Sequence, residues 1–260
     1  MSIYFGTLTP SAIKRGASDI TAMYYGATQV WPVGGGGVVT AGLQAYYDAG
    51  NAGGISGTTL YDLSGNSRNA TLVGDIAYSG SNGGCLSTGQ TSYGYIGMPS
   101  AVATALNSGT DATIMQWIRI NQQPPASDAQ TGFIYFTNQT NGIGNHYPYT
   151  DGNIYTNVLK TARPSLGNPV SSLVVWHVMT ISTSPGSGNW KMYINTTSQG
   201  TDTGDSSLAL YGGGSYGGLI GSSGGGLDRL VGGLGPTLVY NQQLSTTDMQ
   251  TNIDYFASRF

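Results

Sequence analysis

The sequence predicts an all-β protein: a two-sheet jelly-roll sandwich with one C-terminal helix and a small N-terminal β-hairpin module. Three observations predict it. Charged residues make up 8% of the 260, against about 25% in an ordinary soluble domain. Glycine contributes 42 residues and tyrosine 18, a composition that suits strands and tight turns better than helices. Short alternating runs, separated by clusters of Gly, Asn, Ser and Pro, repeat from residue 40 onward.

The N-terminal segment comes first. Ile20, Ala22 and Tyr24 alternate with Thr21, Met23 and Tyr25, Gly26-Ala27 can turn, and Thr28 to Trp31 supplies a second short strand. A hairpin this small is marginal alone and must dock on something. The run Val33-Gly34-Gly35-Gly36-Gly37-Val38 reads as a flexible linker. The expected organisation is therefore a hairpin module over 1–33, a linker over 34–39 and a large domain over 40–260.

Within that domain, Leu43, Ala45 and Tyr47 share one strand face. Thr113 to Ile120 is apolar on both faces, as a covered central strand should be. Leu173 to Ile181 reads as a long strand, and Trp190, Met192 and Ile194 alternate with Lys191, Tyr193 and Asn195. Pro236 to Tyr240 is the expected last strand. One helix follows, capped by Thr246 or Thr247 with Asp248 in its first turn; Met249, Ile253, Phe256 and Phe260 form its apolar stripe.

The same counts exclude several functions. Nine Lys+Arg and a net charge of −3 leave no footprint for nucleic acid or an anionic membrane. No apolar run is long enough to span a bilayer, and the first ten residues lack the plan of a secretory signal. The single Cys85 rules out a disulfide framework and a multi-cysteine metal site. All 12 acidic residues are Asp.

The stretch Tyr61-Asp62-Leu63-Ser64-Gly65-Asn66, followed by Asn69, is the most specific motif in the chain. Three further stations stand in order: Ala112 to Ile118 with Trp117; Trp176 to Thr180 with Lys191 to Asn195; and Leu219-Ile220-Gly221 with Leu238 to Ser245 and the terminal helix. Together they resemble the laminin-G-like, concanavalin A-like lectin/glucanase jelly rolls over residues 41–260. The resemblance implies a concanavalin A-like sandwich and carbohydrate recognition. Two departures stand out. The turn after Lys191–Asn195, usually Asn-Gly in that family, is Asn195-Thr196, which predicts a longer hairpin loop. The catalytic glucanases use Glu-based acid/base motifs, and this chain has no Glu. The segment from Ile20 to Trp31 is similar to short modules at the start of bacteriophage tail and other virion proteins.

Glycoside hydrolysis needs two carboxyl groups at a defined separation. No strand carries two at i and i+2, so no catalytic residue is expected. The segment 141–151 reads as a loop in which Asn145, His146, Tyr147, Tyr149 and Asp151 offer aromatic faces and polar groups suited to a sugar. Tyr93 and Tyr95 are a second such candidate. His177 reads as a core histidine, and Asp62 as a turn residue that bonds backbone amides rather than a calcium ligand. No metal and no cofactor is expected. Residues Ile20, Tyr24, Tyr25, Val30 and Trp31 are the expected virion-attachment contacts. The expected partners are other virion proteins through residues 1–33, host-surface carbohydrate, and sister copies in a homo-oligomer, possible as a trimer. The expected location is the exterior of a virion, tail or head. A tail-fibre or baseplate adhesin is the leading expectation; a capsid decoration or head-fibre protein without a specific ligand is the alternative, and a glycan-degrading enzyme ranks third.

Overall fold

The computed structural model describes residues 14–15, 18–19, 23–25, 28–31, 37–89, 94–108, 111–121, 130–137, 142–149, 153, 155, 175–184, 189–202, 218–221 and 230–260. Two short hairpins come first: β1 Lys14–Arg15 with β2 Ser18–Asp19, and β3 Met23–Tyr25 with β4 Thr28–Trp31. The second is the hairpin expected around Gly26-Ala27. Next along the chain are β5 Leu43–Tyr47, β6 Ile55–Ser56, β7 Thr59–Leu60, β8 Ala70–Gly74 and β9 Ile76–Ser79. They are followed by β10 Cys85–Thr88, β11 Gly94–Met98, α1 Ser100–Asn107, β12 Ala112–Ile120, β13 Gln130–Thr137 and β14 Gly142–Tyr149. The chain closes with β15 His177–Ser184, β16 Asn189–Ile194, β17 Thr197–Asp202, β18 Gly218–Ile220, β19 Gly232–Tyr240 and α2 Thr246–Phe256.

Two antiparallel sheets form the sandwich. One has the order β17-β16-β15-β12-β19-β10-β9, with β5 also paired to β19, giving eight strands. The other has seven, in the order β14-β13-β18-β11-β8-β7-β6. The free side of β19 is shared: Gly232 to Leu234 pair with β10, and Thr237 to Tyr240 pair with β5. The inter-sheet core takes Ile114, Ile118, Met179, Ile181 and Val239 from the first sheet and Leu60, Leu72, Ile96, Met98 and Ile220 from the second. β12 is the covered central strand that its sequence predicts, flanked by β15 and β19. Its register slips between Gln116 and Ile118. There Gln116 donates from Nε2 to the carbonyls of Trp117 (2.7 Å) and Gly235 (3.0 Å) and accepts from the Thr237 hydroxyl at 2.5 Å. A buried amide thus serves the backbone groups that the bulge leaves without ladder partners.

A second apolar layer lies outside the eight-stranded sheet. Met249, Ile253, Phe256 and Phe260, the predicted stripe, pack with Tyr46, Met115, Trp117, Val178 and Leu238. Phe256 meets Trp117 edge-on, with ring centroids 4.7 Å apart. Asn252 is fully buried in this layer. Its Oδ1 accepts the Val39 N–H at 2.8 Å, its Nδ2 donates to the Tyr240 hydroxyl at 3.1 Å, and that hydroxyl donates to the Val39 carbonyl at 3.0 Å. This closed ring ties the helix to the point where the chain enters the domain. Val38 and Val39 pack on the same layer.

The structure corrects several expectations. A second helix, α1, is present where none was predicted. Its residues are small and uncharged, its cap Pro99 offers no side-chain bond, and no charge marks either end, so the usual sequence signals are absent. It buries Val102, Ala103 and Leu106 and contacts β5 of one sheet and β18 of the other. The cap of α2 is Ser245, which forms a reciprocal capping box with Asp248, rather than Thr246 or Thr247. The strand expected over 173–181 starts at His177 because its ladder with β12 starts at the Ile118–His177 pair; Val175 stands 58% exposed. It runs on to Ser184 because β16 supplies partners that far. The turn at Asn195-Thr196 is no longer than usual: Ile194 pairs directly with Thr197. Asn195 takes a positive φ of 55° and accepts the Val178 N–H on its side chain, a role open to Asn without a glycine beside it.

Replacing Asn252 by Ala leaves the Val39 N–H and the Tyr240 hydroxyl with buried bonds unmade. Urea unfolding is expected to show a loss of about 1–3 kcal/mol with an unchanged slope. A midpoint equal to wild type would show that the ring is not structural.

Candidate functional site

The sugar-contact candidates from the sequence fall at a sheet edge. Asn145, His146, Tyr147 and Tyr149 lie on β14 rather than in a loop. The run Gly142–Tyr149 pairs with β13, which converts the predicted loop into the terminal strand of the seven-stranded sheet. Among the described strands β14 pairs with β13 alone, and an edge position of that kind tolerates Pro148. The pairing slips twice, between Gln130 and Gly132 and between Gly132 and Tyr135, and such irregularities are common at sheet edges next to binding sites. Asp151 lies outside the described residues, as do Tyr93 and Ile20. Tyr95 is 8% exposed on β11, opposite Val73. Of the attachment candidates, Tyr24, Tyr25, Val30 and Trp31 lie on β3 and β4.

The most specific sequence motif turns out to be architectural. The Asp62 carboxylate accepts N–H bonds from Tyr46 (3.0 Å), Ser64 (2.9 Å) and Arg68 (2.9 Å). Asn66 donates to the carbonyls of Leu43 and Gln44, and Asn69 accepts from the Asp62 N–H. The turn is thereby stitched to β5. This is the amide-bonding reading of Asp62, and its oxygens are engaged by the backbone. Among the described residues no group of three or more His, Cys, Asp or Glu could hold a metal ion.

One surface feature escaped the sequence reading. On β19, Gly233 and Gly235 share a strand face, and each lies under an aromatic ring: a side chain at Gly233 would meet Trp176, and one at Gly235 would meet Phe260. The two rings contact each other at 4.6 Å between centroids. The Arg119 guanidinium carbon lies 5.4 Å from the Trp176 centroid, and that of Arg259 lies 5.0 Å from the Phe260 centroid. Arg119, Trp176 and Phe260 are each half-buried. The legible signal was the spacing Gly233-Leu234-Gly235: two glycines on one face of a strand leave a bare floor on which rings can lie.

His177 is buried, and its Nδ1 lies 2.8 Å from the Val175 carbonyl. Burial pushes its basicity below the ordinary value of 6.5. Met179 and Ile181, on the same strand face, belong to the inter-sheet core, so the core-histidine reading holds.

Comparison with known proteins gives this arrangement a family. The sequence model of the concanavalin A-like lectin/glucanases superfamily matches residues 89–250. The chain belongs to that superfamily. No curated protein sequence matches it significantly. Among solved structures, the Trypanosoma rangeli sialidase is similar with a TM-score of 0.61 at 15% identity, over 91% of this chain and 35% of the sialidase. Domain 4 of the arabinanase AbnA from Geobacillus stearothermophilus, solved with arabinotriose, gives 0.56 at 17% over 80% and 97%. Botulinum neurotoxin type C gives 0.57 at 14% over 84% and 52%. The chain thus spans about a third of the sialidase and half of the toxin chain. At these identities the likeness concerns the fold.

The histidine generates a pH prediction. A group whose folded pKa lies below its unfolded value binds protons more readily when unfolded, so stability falls as pH drops through the unfolded value. Thermal melts are expected to shift downward from pH 7 to pH 5, and His177→Gln is expected to flatten part of that slope. Identical slopes for the two proteins would contradict the assignment.

Proposed function

We propose that the protein is a non-enzymatic, glycan-binding component of a bacteriophage virion. Residues 1–33 attach it to the particle, and residues 40–260 present a lectin-like domain to host-surface carbohydrate, as a tail fibre or baseplate adhesin does. The observation that carries the reading is membership of the lectin/glucanase superfamily through residues 89–250. Two of the similar structures support it: the arabinanase domain was solved with arabinotriose, and cell entry of the toxin depends on two ganglioside molecules. The non-enzymatic half is supported by the absence of Glu from the whole chain. It is supported further by the structural engagement of three carboxylates: Asp48 by Arg259, Asp62 by backbone amides, Asp248 by the cap of α2. The attachment half rests on the resemblance of residues 20–31 to virion modules and on the hairpin formed by β3 and β4. A shallow aromatic and amide-rich surface binds one glycan weakly. Several copies on a particle, as a trimer would supply, raise avidity by about 10²–10⁴.

A glycan array probed with the full chain is expected to show binding to a limited set of host glycans, with no reducing ends released on prolonged incubation. Absence of binding, together with high copy number on capsids, would favour a decoration protein instead. Release of reducing ends would reverse the non-enzymatic assignment.

Deleting residues 1–33 is expected to leave a soluble folded domain that no longer joins particles. Normal incorporation of the truncated chain would contradict the attachment role.

A further inference from the structure

A sheet edge offers unpaired backbone groups to any strand that arrives, and proteins guard their edges with short strands, charges, proline, bulges or a covering loop. Among the described strands of the sandwich, four edges are guarded in these ways. Along β5 the segment 62–68 covers the free side: Asp62 bridges to Tyr47, the Leu63 N–H bonds the Tyr46 carbonyl, and the Asn66 and Arg68 side chains bond the Gln44 carbonyl. Strand β6 is two residues long. Strand β14 carries Pro148 and two register slips. Strand β17 carries a register slip between its pairs at Ser198 and Gly200 and ends in Asp202.

The fifth edge is β9, the last strand beyond β10. None of those devices protects it. Ile76-Ala77-Tyr78-Ser79 holds no charge and no proline, and its ladder with β10 is unbroken over all four pairs. Among the described residues no backbone bond reaches Ala77 or Tyr78 from outside that ladder. Both residues are exposed, Tyr78 at 53%. The strand is open along its side and holds an aromatic ring in water.

The occupant that fits is a second copy of the same strand. Directly opposed residues of an antiparallel pair share a face of the sheet. A two-fold axis normal to the sheet therefore has to fall on a residue that opposes itself. With the axis at Ala77, two small side chains meet there. Ile76 then opposes the partner's Tyr78 on either side of the axis, a β-branched–aromatic pair of the kind that stabilises sheets. The nearest carboxylate, Asp75, opposes the partner's Ser79 and not its own counterpart, so no like charges meet.

We propose that the protein forms a two-fold dimer through antiparallel β9–β9 pairing, which joins two eight-stranded sheets into one of sixteen strands. The inference goes beyond the glycan-binding reading and does not depend on it. The contact is isologous, so it closes at two copies and does not build a trimer. Four paired residues a side place it at the small end of specific interfaces, below about 1,200 Å², so the dimer forms in a concentration-dependent way.

Analytical sedimentation of the full chain over a range of concentrations is expected to show monomer and dimer in mass-action balance. Ala77→Lys and Ala77→Glu each put like charges on the axis, and each is expected to raise the dimer Kd at least about tenfold. A one-to-one mixture of the two variants is expected to restore dimers, because unlike charges then meet. Thr201→Lys, on the exposed side of the guarded edge β17, is expected to leave association unchanged. Circular dichroism is expected to show every variant folded. A chain that stays monomeric at every concentration would overturn the proposal, and so would one that sediments only as a trimer. Dimers that survive both Ala77 variants, or that Thr201→Lys abolishes, would place the contact elsewhere and overturn it as well. Folded Ala77 variants that dissociate and fail to recover on mixing would overturn the pairing about Ala77.

Discussion

The fold closes on one ion pair. Arg259 donates from Nη1 to Asp48 Oδ2 at 2.6 Å and from Nη2 to Asp48 Oδ1 at 2.9 Å. Asp48 is 2% exposed and Arg259 20%. The same carboxylate accepts the Gly50 N–H and the Tyr46 hydroxyl, and the same guanidinium donates to the Gly84 carbonyl. Burial and the Asp48 charge push the Tyr46 hydroxyl far up, so it stays a donor. One fork thereby joins the end of β5, the turn before β10 and the segment after α2. Glycine is required beside it: a side chain at Gly50 would run into the Arg259 guanidinium and the Gly83 and Gly84 carbonyls. A buried pair of this kind adds little net stability over apolar packing, but removing one partner strands the other charge and costs about 3–5 kcal/mol.

From that pair the outer face of the eight-stranded sheet follows in order. Arg259 lies over Phe260, Phe260 against Trp176, and Trp176 under Arg119. The arrangement is possible because Gly233 and Gly235 leave β19 bare where the rings lie. The ring platform and the β14 edge thus have different supports. Arg119 stands on the central strand β12, and Phe260 on the closing segment. The strand β14 is the last strand of the other sheet and is held by β13 on one side.

Much of the architecture was legible in the sequence because burial writes itself into periodicity. The stretch Thr113 to Ile120, apolar on both faces, had to be central, and Met249, Ile253 and Phe256 fall on one face of α2; Phe260, expected on the same stripe, lies past the end of the helix at Phe256 and packs on the same layer from the closing segment. Asp62 was legible as a turn residue from its neighbours Ser64 and Asn66. Helix α1 was not, since Ser100 to Asn107 carries neither charge nor capping side chain, and tertiary contact with both sheets holds it in place. Segment 142–149 looked like a loop because Gly142, Gly144, Asn145 and Pro148 are turn formers; only pairing with β13 makes it a strand. Of the Arg119 platform only the floor, Gly233 and Gly235, left a mark in the sequence. Its members come from three separate parts of the chain, and no local pattern encodes their meeting.

The dependence on the Asp48–Arg259 pair is tested most directly by a double-mutant cycle in urea unfolding, with Asp48→Ala, Arg259→Ala and the double variant. The account predicts that each single substitution is strongly destabilising and that the double is little worse than either, a coupling above about 1.5 kcal/mol. Additive losses would contradict it, because the two groups would then act independently and the closing segment would be held by packing alone.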